Sequence, residues 1–98
     1  MMDECKKVGI FCRNVSYGKR AKEELDKGDG THFIIFPIND GEILGAQRVD
    51  KAYVLDDVSY REILYLVQPC LKDRDGCIMI GDGNTWMNLS VILKLINI

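Results

Sequence analysis

Residues Asp50 to Asn84, DKAYVLDDVSYREILYLVQPCLKDRDGCIMIGDGN, decide how the chain is read. Lys51 to Leu55 is a short apolar run closing on Asp56 and Asp57, and Cys77 to Ile80 is a second one closing on Gly81-Asp82-Gly83-Asn84. Between them Ser59 and Glu62 form the Ser-x-x-Glu pattern of a capping box. Ile63, Leu64, Val67 and Leu71 follow at helical spacing, with Tyr60 nearby. Strand, helix and strand make one α/β unit, and open α/β sheets bind ligands at the carboxyl ends of their strands. Pro69 predicts a kink in this helix or its end near Gln68, and Lys72 to Gly76 reads as a polar turn.

Working outward, Lys7 to Arg13 (KVGIFCR) is another apolar run fit for a buried strand. Asn14 and Ser16 offer caps to a following helix in which Tyr17, Ala21 and Leu25 form a stripe toward the core. Glu23 and Lys27 can pair across one turn of that helix, and Gly28 and Gly30 end it. Thr31 to Ile38 is β-branched and aromatic, so it is read as a strand, with Pro37 at its end or on a sheet edge. Asn39-Asp40-Gly41 is a turn signal, and Glu42 to Leu44 returns as the second arm of a hairpin. Gly45 to Arg48 then forms a loop into the central strand. The tail from Trp86 alternates like a strand and also fits a helix; Thr85 as a cap tips the reading to helix. The expectation is a single α/β domain over residues 1–98. It has a small, mostly parallel sheet of four or five strands, a hairpin near residues 31–44, and two or three covering helices.

Composition narrows the function classes. The chain has 98 residues, 47% hydrophobic and 29% charged, which is globular and has room for one core. No apolar run reaches the roughly 18 residues of a membrane span. Acids precede the lysines at the N-terminus, unlike a secretory signal. A cytoplasmic protein without membrane contact is therefore expected. The net charge of −2 speaks against nucleic acid as the main partner. One basic cluster, Arg13, Lys19, Arg20 and Lys22, is the weak candidate for such binding and otherwise the solvated face of a helix. Cys5, Cys12, Cys70 and Cys77 include no Cys-x-x-Cys, and His32 is the one histidine, so reduced thiols are expected rather than a zinc site. Cys12, beside Arg13 at a strand end before a helix, is placed where a thiolate can be activated.

Two motifs carry the candidate chemistry. In nucleotide hydrolases an apolar strand closing on two acids supplies a Mg²⁺ ligand and a water-positioning group, whereas an aspartate pair can equally cap the next helix. Gly81-Asp82-Gly83-Asn84 permits close approach of backbone to a ligand, and is also a plain β-turn sequence. The order VLDD, helix, CIMIGDGN resembles the RecA-like motor core of superfamily 1 helicases, a branch of the P-loop NTPases. IIFPINDGEILGAQRVDKAYVLDD is similar to viral terminase large subunits. Over residues 7 to 84 the resemblance implies Asp56 as Mg²⁺ ligand, Asp57 as water-orienting acid, and Asp82 and Asn84 near a γ-phosphate. The chain departs from that pattern in having no G-x-x-x-x-G-K-[ST] loop. It also has Asp57 where helicases carry glutamate, and Thr85 after Asn84 where they carry glutamine. The expectation is a non-catalytic binding protein, an accessory factor of viral or mobile-element type that acts on another protein or self-associates and uses no cofactor. The alternative is a nucleotide or small-ligand domain that binds Mg²⁺-nucleotide through Asp56, Asp57, Gly81, Asp82, Gly83 and Asn84.

Overall fold

The computed structural model describes residues 6–39, 42–43, 47–72 and 77–96, with side chains as far as Ile92. The chain runs β1 (Lys7–Cys12), α1 (Val15–Leu25), β2 (His32–Asn39), β3 (Glu42–Ile43), β4 (Lys51–Leu55) and α2 (Tyr60–Glu62). A π-helical turn (Ile63–Val67) and a 3-10 turn (Gln68–Cys70) continue α2, and β5 (Cys77–Gly81), β6 (Trp86–Asn88) and α3 (Leu89–Ile96) complete it. The six strands form one sheet in the order β3-β2-β1-β4-β5-β6. The four inner strands are parallel, while β3 and β6 run antiparallel at the two edges.

This is the α/β class expected, with a correction. The sheet is mixed and six-stranded rather than mostly parallel with four or five strands. The extra strand is β6, whose three residues lead directly into α3, so the strand-like and helix-like patterns of the tail belong to successive segments. Thr85 does not cap α3; Asn88, immediately before it, accepts the Ser90 N–H at 2.9 Å. The arms of the expected hairpin pair as Ile38↔Ile43 and Asn39↔Glu42. Its turn residues Asp40 and Gly41, with Leu44 to Ala46 and the expected polar turn at 73–76, lie outside the described residues.

Pro37 falls inside β2 rather than at its end, but at an edge position, since among the described residues β3 pairs only Ile38 and Asn39 on the side away from β1. His32 donates its N–H to Lys6 on the β1 side, so by strand alternation the nitrogens of Phe33, Ile35 and Pro37 face away from β1. The missing proline donor therefore removes no bond from the parallel ladder. Apolar side chains alternate between two clusters. Ile10, Cys12 and Leu55 pack with Ala21 of α1 on one face. Phe11, Phe36, Val54 and Ile78 pack with Ile63, Val67 and Leu71 on the other. The Phe11 and Phe36 rings stack with centroids 5.1 Å apart. The parallel crossovers, on opposite sides of β1 and β4, thus place their helices on opposite faces.

Two expectations for the helices are revised. In α1 the inward positions are Gly18 and Ala21, while Tyr17 is 51% exposed. Gly18 sits so close to the sheet that an added Cβ would stand 2.7 Å from the Cys12 Sγ. The helix ends at Leu25, so Glu23 and Lys27 do not share a helical turn. In the 60–70 segment Leu64 points outward, whereas Ile63 and Val67 are buried. The buried face runs through Ile63, Val67 and Cys70, and Leu64 stands about 100° around the helix from Ile63. Pro69 cannot donate to the Tyr65 carbonyl and its ring crowds that group, so the ladder widens and Gln68 N–H reaches Ile63 O instead. The helix continues past the proline to Cys70 as a 3-10 turn.

Candidate functional site

In a parallel order of β2-β1-β4-β5 the direction of winding reverses between β1 and β4. Outside the carboxyl ends of those two strands is the crevice where such sheets bind ligands. Here Cys12 ends β1 with Arg13 and Asn14 after it, and Asp56 and Asp57 follow β4. Asn14 caps α1 by accepting the Ser16 N–H.

The two aspartates go separate ways. Asp57 turns across the switch point, and its Oδ2 accepts the backbone N–H groups of Arg13 (3.1 Å) and Asn14 (3.0 Å). These donors, at the start of α1, are what an anionic ligand would use. The protein's own carboxylate occupies them. Its Oδ1 is buried without a hydrogen-bond partner among the described residues. The Arg13 guanidinium forms an ion pair with Glu62, which also completes the capping box with Ser59. The Ser59 N–H first, with burial opposing and Arg13 adding, holds Glu62 below the usual carboxylate range. The loop after β1 is thus tied to β4 by Asp57 and to α2 by Glu62.

Cys12 lies under this bridge, fully buried. Burial, then the neighbouring Asp57 charge, push its thiol up to about 11, against a smaller opposing contribution from the Gly18 backbone. An activated thiolate needs the opposite environment, so the reactive-cysteine reading is withdrawn.

Asp56 is exposed and lines a cleft of about 350 Å³ with Ile80, Gly81, Asp82, Trp86 and Ile92. Three of the six candidate ligand residues meet here: Asp56, Gly81 and Asp82. Gly83 and Asn84 form the turn beside it. Asp82 Oδ1 accepts the N–H groups of Asn84 (2.9 Å) and Thr85 (3.0 Å), closing the β5–β6 hairpin. The Thr85 and then the Asn84 N–H hold its carboxyl below the usual range. Gly81 is required by contact, since a Cβ there would lie 2.0 Å from the Thr85 carbonyl oxygen. Gly83 is required by its φ of 103°.

The two carboxylates that a Mg²⁺-nucleotide would share do not converge in this arrangement. Asp57 is committed to the Arg13 and Asn14 N–H groups and does not line the cleft at Asp56. The cleft at Asp56 carries a second carboxylate and no cation among its lining residues. Among the described residues no three His, Cys, Asp or Glu side chains group as metal ligands. Of the basic candidates, Arg13 is engaged by Glu62, while Lys19, Arg20 and Lys22 lie along α1. His32 begins β2, at the opposite end of the sheet from Asp57. No helix among the described residues is long and apolar enough to cross a membrane.

Sequence reasoning found the capping box and the strand-end acids. It missed the Asp57 bridge and the Arg13–Glu62 pair, both of which join residues more than 40 apart that only the parallel pairing of β1 with β4 brings together. No family model, curated protein or solved structure matches the chain.

Proposed function

We propose that this chain is a non-catalytic protein-binding module of accessory type, whose VLDD and GDGN strand ends keep the layout of a RecA-like core without its phosphate chemistry. One observation carries the reading: Asp57 fills the anion-binding position between β1 and β4 with the protein's own carboxylate. A nucleotide phosphate would have to displace a charge held by two N–H groups, in a chain without a glycine-rich phosphate loop. Catalysis has no better footing, because the Cys12 thiol is buried with its pKa pushed up and His32 stands at the far end of the sheet.

A second reading, a small-ligand site at Asp56, Gly81 and Asp82, is favoured by the cleft those residues share. A thermal-shift titration with ATP and GTP, with and without Mg²⁺, separates the two. The protein-binding reading expects no shift at millimolar nucleotide. A Mg²⁺-dependent rise in melting temperature that vanishes in Asp56→Asn would move the ligand reading ahead of it.

A further inference from the structure

We propose that the outer face of the 60–70 helical segment is a docking surface for an acidic, apolar-anchored segment of another protein. This rests on the protein-binding reading above and names the surface and the chemistry of its partner. Tyr60, Leu64 and Tyr65 are 46%, 37% and 69% exposed along this one segment. A depression of about 360 Å³ on one side is lined by Arg48, Leu64, Gln68, Pro69, Leu71 and Lys72. A second, of about 250 Å³, is lined by Arg61, Glu62, Tyr65 and Leu66.

Among the described residues that line these depressions, cations outnumber acids three to one. Arg48, Arg61 and Lys72 line the two depressions, and the one acid among the lining residues, Glu62, is already engaged by Arg13 and Ser59. Lys72 lies 3.6 Å from Asp50 and keeps much of its side chain in solvent. The Arg61 guanidinium stands over the Tyr65 ring, 5.9 Å from its centroid. Stacked in this way it restrains the ring and still presents N–H groups outward. Exposed tyrosines with an arginine are the side chains that carry most binding energy at protein interfaces.

An occupant that matches supplies aliphatic or aromatic anchors for the two depressions and carboxylates for Arg48 and Arg61. A nucleic acid fits less well, because Leu64, Leu66 and Pro69 offer its phosphates nothing and the whole chain is net negative.

The test is selection of a random dodecapeptide phage library on the wild-type chain, followed by binding of the enriched peptides to Arg61→Glu/Tyr65→Ala. Arg48→Glu, outside the helix, is the second variant should the first fail to fold. The expected result is peptides that combine Asp or Glu with Leu, Phe or Trp and bind either variant about tenfold more weakly. Basic peptides, or acidic peptides that bind wild type and variants alike, would overturn the assigned surface while leaving protein binding standing. Displacement of the peptides by a short oligothymidine would overturn it in favour of nucleic acid. An unenriched library would overturn the surface and the protein-binding reading together.

Discussion

Replacing Asp57 by alanine tests the bridge that closes the switch point. The carboxylate accepts two backbone N–H groups, at 3.1 and 3.0 Å. A hydrogen bond to a charged group contributes about 1.5–3 kcal/mol. Both donors lie near solvent and water partly replaces the lost acceptor, so about 1.5 kcal/mol each is appropriate, or ~3 kcal/mol together. Against this, the buried Oδ1 has no partner, and deleting it recovers about 1 kcal/mol of desolvation. The net expectation is a loss of about 2 kcal/mol, or roughly 10 °C in melting temperature for a domain of this size. Asp57→Asn keeps an acceptor oxygen and loses the charge, so it should fall between. Asp56→Ala removes an exposed side chain and should stay within about 0.5 kcal/mol of wild type. Urea unfolding with linear extrapolation at constant m-value reads all three. A loss below 0.5 kcal/mol in Asp57→Ala, or an equal loss in Asp56→Ala, would refute the assignment of separate roles to the two aspartates.

Three further expectations follow from the geometry. Ser59→Ala removes the Oγ that accepts the Glu62 N–H and should cost about 1 kcal/mol by thermal melting; an unchanged melt would show that the capping box does not support α2. Gly81→Ala places a Cβ 2.0 Å from the Thr85 carbonyl oxygen and should cost more than ~2 kcal/mol. Gly83→Ala meets open space and pays only for its positive φ, about 1 kcal/mol, and the reverse ranking in urea would contradict the hairpin geometry. For Cys12 the folded chain holds its proton to about pH 11 against a reference of 9.0. The unfolded chain then binds fewer protons between those values, and the stabilisation present below pH 9 is lost as pH rises toward 11. A Cys12→Ser variant should lack that part of the alkaline decline in stability, and an identical decline in both proteins would assign it to other groups.

How much of this was legible depended on range along the chain. The strand from Lys51 to Leu55, the Asn14 cap and the Ser59–Glu62 capping box are local patterns, and each stands where its residues indicated. Pro37 and Pro69 were recognised as special, but what they do depends on partners. One is tolerated because its missing N–H faces away from β1, and the other forces a π turn rather than ending its helix. Leu64 was assigned to the core beside Ile63, but the buried face runs through Ile63, Val67 and Cys70 and leaves Leu64 at its border. The strand β6 was passed over because the alternation that begins at Trp86 overlaps the helical period of the residues after it, and one reading was applied to the whole tail. At the site, the acids and glycines could be listed from the sequence, but their division could not. Whether Asp57 turns to β1 or joins Asp56 at the cleft is fixed by which strand neighbours β4, and no local pattern records that.

The most direct test of the closed switch point is a ¹H–¹⁵N spectrum of the wild-type chain titrated to millimolar Mg²⁺-ATP and, separately, inorganic phosphate. The account predicts that the Arg13 and Asn14 amide signals hold their positions, because Asp57 already accepts both N–H groups. A saturable shift of those two amides, accompanied by Ser59 and Glu62, would contradict it and show an anion-binding site where we place a structural bridge.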